Sequence, residues 1–187
     1  MFQEEIERAL LHLNKGGIIL YPTDTVWGIG CDATKPDAVS KIYKLKKRKE
    51  AKSMLCLVSN LKMLEKYVYE IPEPAYNIIE FSDKPTTIIY DQPLGVAENL
   101  IAQDNSLGIR VVKKGFAFEL LKKFRRPLVS TSANISGFPT PKSFNEISTE
   151  ILNGVDYVVN LPGENASAKP STIIKLKNDG QVQIIRM

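Results

Sequence analysis

Residues 17–33 read GIILYPTDTVWGIGCDA, and the order of residue types in this stretch frames the whole chain. Gly17–Pro22 is a short apolar run closed by proline, which fixes φ and removes a backbone donor, so a strand ends there. Thr23–Ala33 is an extended segment broken by Gly28 and Gly30. Thr23, Asp24 and Thr25 set two hydroxyls and a carboxylate beside a sheet edge, although the same residue types also build ordinary Asx and ST turns.

Outward from this stretch, strands and helices mix throughout. Residues 3–15 form an amphipathic helix with Ile6, Ala9, Leu10 and Leu13 on one face, ended by Gly16-Gly17. A second helix runs from Pro36 to Lys46, with a capping box expected from Thr34 and Asp37. Further helices are expected over 61–67, 74–81, 116–124 and 144–152. Strands are expected over 53–59, 86–90, 106–112, 127–131 and 156–160. The tail STIIKL-KNDG-QVQIIRM reads as a hairpin around an Asn-Asp-Gly turn. This pattern predicts one α/β domain over residues 1–187, built on a twisted mixed sheet flanked by helices.

Bulk composition narrows the class. The chain has 187 residues, 43% hydrophobic and 25% charged, which is enough for one core and near the usual charge content of a folded domain. Every apolar run is interrupted well before the ~20 residues of a membrane helix. The opening MFQEEIERALLHL carries acids where a secretory leader carries bases, so a cytoplasmic location is expected, with no membrane partner. Cys31 and Cys56 fit no zinc spacing and no disulfide framework. The net charge of +4 is mild but clustered. Lys44, Lys46, Lys47, Arg48, Lys49 and Lys52 form one group; Lys122, Lys123, Arg125 and Arg126 form another.

Four segments carry polar groups that a plain strand or turn does not require. The first is the Thr23–Thr25 turn. The second is Lys46-Lys47-Arg48 with Lys52 beyond it, where cations either complement a helix C-terminus or reach phosphate oxygens. The third is Ser130-Thr-Ser132-Ala-Asn134, at the carboxyl end of a strand, where open α/β sheets hold ligands. The fourth is Lys169-Pro-Ser171-Thr172, at the start of a strand. Arg110 in mid-strand adds a guanidinium that must be paired, ligand-bound or turned outward. Neither GxxxxGK[ST] nor GxGxxG occurs. The single histidine, His12, lies between leucines on the first helix, so a Ser-His-Asp triad has no base. Cys31 reads as a buried thiol. Chemistry without His or Cys favours positioning and electrostatics, as in phosphoryl and nucleotidyl transfer.

In this order, YPTDTVWGIGCDA, the KxR at 46–48, STSANISG and PSTII resemble the YrdC/Sua5 family of threonylcarbamoyl-AMP synthases. The resemblance runs from about Gly16 to Arg186 and puts the family tetrad KxR…SxN on Lys46, Arg48, Ser132 and Asn134. It implies a YrdC/RibB-like fold with a large basic concave cleft. It also implies condensation of L-threonine, bicarbonate and ATP to threonylcarbamoyl-adenylate and pyrophosphate, for t6A modification of tRNA. Carried over by motif, Thr25, Arg110, Ser171 and Thr172 would hold threonine. Lys46, Arg48, Lys52, Ser132, Asn134, Ser143 and Arg186 would hold the nucleotide, with Mg²⁺ bound through its phosphates. A tRNA threonylcarbamoyl transferase complex would take the product. The sequence departs from the family pattern at Phe81–Pro85, where many members have Trp-Pro-Gly-Pro, and at Lys52-Ser-Met54, where many have Asn-Pro-Leu or Lys-Pro-Leu. A non-catalytic double-stranded RNA or tRNA binding module would also use a basic cleft, and is the rival reading.

Overall fold

Alternating apolar runs along the strands meet in one mixed sheet, seen in a computed structural model that describes residues 1–48, 54–161, 170–177 and 181–186. The strands are β1 (Ile19–Pro22), β2 (Trp27–Gly30), β3 (Leu55–Val58), β4 (Thr86–Asp91), β5 (Ser106–Val111), β6 (Leu128–Ser132), β7 (Tyr157–Val158), β8 (Thr172–Leu176) and β9 (Val182–Arg186). Their order across the sheet is β7-β1-β2-β6-β3-β5-β4-β8-β9. The β1/β7, β3/β5 and β4/β8 pairs are parallel and the others antiparallel, so the expected mixed sheet is present. The helices are α1 (Phe2–Asn14), α2 (Pro36–Leu45), α3 (Leu61–Leu64), α4 (Glu73–Phe81), α5 (Phe116–Phe124) and α6 (Thr149–Gly154). Among the described residues no helix is long and apolar enough to cross a membrane.

Because side chains alternate along a strand, each strand feeds two different layers. One face supplies Leu20, Ile29, Cys56, Ile88, Ile109 and Val129 to a core with Val39 and Ile42 of α2, Leu64 of α3 and Ile151 of α6. The opposite face supplies Ile19, Tyr21, Leu57 and Leu128 to a core with Ile6, Ala9 and Leu13 of α1 and Leu120 and Leu121 of α5. Full burial of each valine, leucine or isoleucine among them contributes about 1.5–3 kcal/mol. This second face is covered only in part. Beyond α1 and α5 its alternate positions are Gly28, Leu55, Thr87, Ile89, Gly108 and Ile173, which line a cavity.

Several expectations need correction. The Thr34/Asp37 capping box does not form: the N-cap of α2 is Lys35, without a side-chain cap bond. Thr34 instead donates through both its backbone N–H and its hydroxyl to Asp32 Oδ1, at 2.9 and 2.7 Å. The expected 144–152 helix is a short 3₁₀ turn (Phe144–Glu146) followed by α6, which starts afresh because Ser148 Oγ caps Ile151 N. The strand expected over 156–160 shrinks to β7. The helix expected over 61–67 ends at Leu64. The β8/β9 hairpin pairs as expected, while its Asn-Asp-Gly turn lies outside the described residues.

His12 is half-buried and stacks on Tyr157, with ring centroids 5.0 Å apart. Cys31 is fully buried, and burial pushes its thiol pKa well up, so it behaves as a small apolar side chain. In the second basic cluster Arg126 forms an ion pair with buried Asp32 at 2.7 Å, and Lys122 pairs with Glu119.

Candidate functional site

The cavity has a volume of about 280 Å³ and opens on the uncovered half of the sheet face. Its hydroxyl-bearing residues include Thr23, Thr25, Thr87, Ser130, Ser132 and Ser171, and its cations among the described residues are Arg48, Arg110 and Arg186. Ser130 and Ser132 lie within β6, so the site spreads over a sheet face and is not confined to the region beyond a strand end. No carboxylate lines it among the described residues.

Arg110 stands on β5, 3% exposed. Its Nη2 donates to Asp24 Oδ1 at 2.8 Å and to Thr25 Oγ1 at 3.4 Å, while Nε has no partner among the described residues. Burial pulls the guanidinium pKa down, and the Asp24 carboxylate opposes that shift. The Thr23–Thr25 segment is indeed a turn closed by its own hydroxyls. Thr23 Oγ1 donates to Val26 O at 2.7 Å, accepts from Thr25 N at 3.1 Å and lies 3.0 Å from Thr25 Oγ1. That turn brings Thr25 to the cavity, so the local reading and the ligand reading describe one structure.

The opposite wall is the start of β8. Ser171 is 3% exposed, and its Oγ lies 2.9 Å from Thr87 Oγ1. Arg186, at the end of β9, donates from Nε and Nη2 to the Ser171 carbonyl at 3.0 and 2.8 Å.

The KxR and SxN elements meet through direct bonds. Lys46 is 1% exposed, and its Nζ donates to the carbonyl of Ser132 and, at 2.5 Å, to that of Asn134. The Lys46 carbonyl in turn accepts from Ser136 N at 2.9 Å. Burial, with the nearby Arg48 adding to it, lowers the lysine pKa to about 7. Arg48 is half-buried on the cavity wall, and burial lowers its pKa too. Asn134 points elsewhere: Nδ2 donates to Phe138 O at 2.7 Å and Ile135 O at 3.1 Å, tying down the following loop. It lines a second cavity of about 530 Å³ with Lys47, Phe138 and Glu150.

Of the site residues expected from sequence, Thr25, Arg48, Arg110, Ser132, Ser171 and Arg186 share the first cavity, with Lys46 bonded to its rim. Thr172 pairs with Thr86 within the sheet, and Ser143 is exposed ahead of the 3₁₀ turn; neither lines that cavity. Lys52 lies outside the described residues. Thr87 and Thr140 also line the cavity and were not foreseen. Thr87 sits in TTIIY, where a β-branched residue reads simply as strand, and only the β4/β5 register shows that it faces Arg110.

A mixed α/β sheet carries one cavity lined by glycines, hydroxyl groups and the three arginines Arg48, Arg110 and Arg186. The chain belongs to the Sua5/YciO/YrdC family, whose model, described as telomere recombination, matches residues 12–187. A relative from Methanocaldococcus jannaschii is 37% identical over 187 residues, covering 97% of this chain and 87% of its own length. The threonylcarbamoyl-AMP synthase of Pseudoalteromonas translucida is 34% identical over 176 residues, covering 91% and 92%. Among solved structures, P. abyssi Sua5 complexed with L-threonine superposes with a TM-score of 0.84 at 25% identity over 91% of this chain. The present chain spans 50% of that longer one.

Proposed function

We propose that this chain is a threonylcarbamoyl-AMP synthase, condensing L-threonine, bicarbonate and ATP to threonylcarbamoyl-adenylate and pyrophosphate for t6A formation in tRNA. One observation carries the reading: motifs scattered from Thr25 to Arg186 converge on a single cavity whose buried Arg110 keeps an N–H with no partner among the described residues. Relatives named as this synthase match most of the chain, and a longer homologue is solved with L-threonine.

In this reading Arg110 receives the threonine carboxylate, as guanidinium groups favour planar two-oxygen acceptors. Thr25 and the Thr87–Ser171 pair supply hydroxyls within reach of the substrate hydroxyl, and a hydrogen-bonding site rejects analogues that lack it. The threonine amine adds to bicarbonate with loss of water, giving a carbamate. A carbamate oxygen then attacks the α-phosphorus of ATP, and the bond to pyrophosphate breaks. Two anions must approach for this, so Arg48 and Arg186 screen their repulsion. The cavity offers hydroxyls and no carboxylate among its described lining, so Mg²⁺ would be carried chiefly on phosphate oxygens, with Ser132 as a protein oxygen nearby. Bound there, it supplies charge neutralisation. Lys46 shapes the Ser132–Ser136 loop that borders the phosphates, and Asn134 holds the turn behind it.

The rival is an RNA-binding module, and one assay separates the two. Pyrophosphate release from ATP should require L-threonine and fall with L-serine. Threonine-independent behaviour together with salt-sensitive RNA binding would replace this proposal with the rival. Arg48→Ala is expected to lower synthesis by about 100-fold or more while leaving the fold intact, since a half-buried surface arginine contributes little to stability.

A further inference from the structure

Asp24 is 14% exposed at its side chain and forms an ion pair with Arg110. It lines a separate cavity of about 240 Å³ with Ile78, Thr86, Val111 and Lys113, and is not among the residues lining the first. Its Oδ1 takes Arg110 Nη2 at 2.8 Å. A guanidinium is planar, with its donors in a fixed fork, so holding one nitrogen sets the direction of the others. The Nε donor, buried and without a partner among the described residues, is the group this leaves over on a side chain that lines the first cavity. A buried charged donor without an acceptor is costly, and an anion arriving at the cavity removes that cost. Asp24 also acts against a like charge, because Arg186 bears on the same guanidinium from the β9 side.

We propose that Asp24 is the positioning residue for threonine recognition: it clamps Arg110 from behind so that the free side of the guanidinium meets the substrate's α-carboxylate, without touching the substrate itself. This rests on the synthase reading above. Removing the clamp lets a long, flexible side chain turn away from the cavity, and small displacements of a binding fork are expensive in affinity. Geometry is the operative property, so an amide that still offers an oxygen to Nη2 replaces most of the function.

The test uses the purified chain, pyrophosphate release, separate titrations of threonine and ATP, and L-threoninol, in which the carboxylate becomes a hydroxymethyl group, as competitor. Asp24→Ala is expected to raise the threonine KM by about 10- to 100-fold and to erase the preference for threonine over threoninol. The ATP KM should move by less than about threefold, since uniform loss of one substrate's binding leaves the other unaffected. Asp24→Asn should recover most of the threonine affinity, and its melting curve reports whether the turn still folds. An unchanged threonine KM in Asp24→Ala, an equal rise in both KM values, or an Asn variant folded but as impaired as Ala would overturn the role of Asp24. A wild-type chain indifferent to threonine would instead overturn the synthase reading, and with it the substrate named here.

Discussion

Gly28 and Gly30 lie on the same face of β2, yet a methyl group added to each would meet entirely different neighbours. At Gly28 it would lie 3.0 Å from Thr23 Cγ2 and 3.3 Å from Ser130 Oγ, two side chains of the cavity rim. At Gly30 it would lie 2.6 Å from the Val129 carbonyl and 2.7 Å from the Tyr21 ring, both in the covered half of that face. Gly28→Ala should therefore raise the threonine KM with little change in melting temperature. Gly30→Ala should destabilise by about 1–3 kcal/mol or more, because backbone and a packed ring cannot yield as a rim side chain can. Thermal melts and threonine titrations of the two variants separate these outcomes.

Lys46 gives the fold a pH dependence of predictable sign. Its pKa falls from the unfolded value of 10.5 to about 7, with burial the main cause. Between those values the unfolded chain binds a proton that the folded chain gives up, so stability rises with pH through this window and is lowest below pH 7. The slope should approach roughly 1 kcal/mol per pH unit near pH 8 and be absent in Lys46→Met. Denaturant midpoints of both proteins between pH 6.5 and 8.5, on the order of two pH units, report the difference directly. Anionic phosphates arriving beside Lys46 would favour its charged form. Nucleotide binding at pH 8 should therefore take up protons, readable as a buffer-dependent heat.

Arg126 and Asp32 form the opposite case, an ion pair expected to matter for stability alone. Asp32 is fully buried and accepts from Thr34 through one oxygen and pairs with Arg126 through the other. Arg126→Ala strands a buried carboxylate and should cost about 3 kcal/mol, lowering the melting temperature by roughly 6–12 °C. Threonine-dependent turnover below the new melting range should stay near that of wild type. A variant that melts normally would show that the carboxylate finds another partner.

Arg186 should influence both substrates at once. It holds the Ser171 carbonyl with two bonds while Ser171 Oγ meets Thr87, and its own guanidinium lines the cavity. Arg186→Ala is therefore expected to raise the KM for ATP and for threonine together, each by about tenfold. A rise confined to ATP would mean that Ser171 keeps its place without the arginine.

The succession of strands and helices was legible because apolar periodicity is local. α5, for example, runs from Phe116 to Phe124 as its apolar stripe predicts. Errors arose where another contact outbid the expected one. Thr34 looked like a cap for α2 but is engaged by Asp32, itself held by Arg126 from across the fold. Phe144 looked like the first turn of a helix but packs edge-on against Trp27, at 5.1 Å between ring centroids. The site was readable as motifs, since hydroxyls and arginines stood out from ordinary strand residues. Its geometry was not. That Asp24 should hold Arg110, 86 residues away, depends on the strand order, and so does the placing of Thr87 beside the same arginine.

The half-covered sheet face has a consequence for how the domain completes itself. Where α1 and α5 stop, Leu55, Ile89 and Ile173 line the cavity with Ser130, Thr87 and Arg110, and no helix of the described residues lies above them. In an ordinary two-layer arrangement such a surface would be roofed by the chain's own side chains. A ligand in the cavity would pack on the side chains lining it, so ligand and protein share one packing problem. Filling the site would then act on this sheet as an extra helix would, adding packing over it and tightening β4, β5 and β8 beneath.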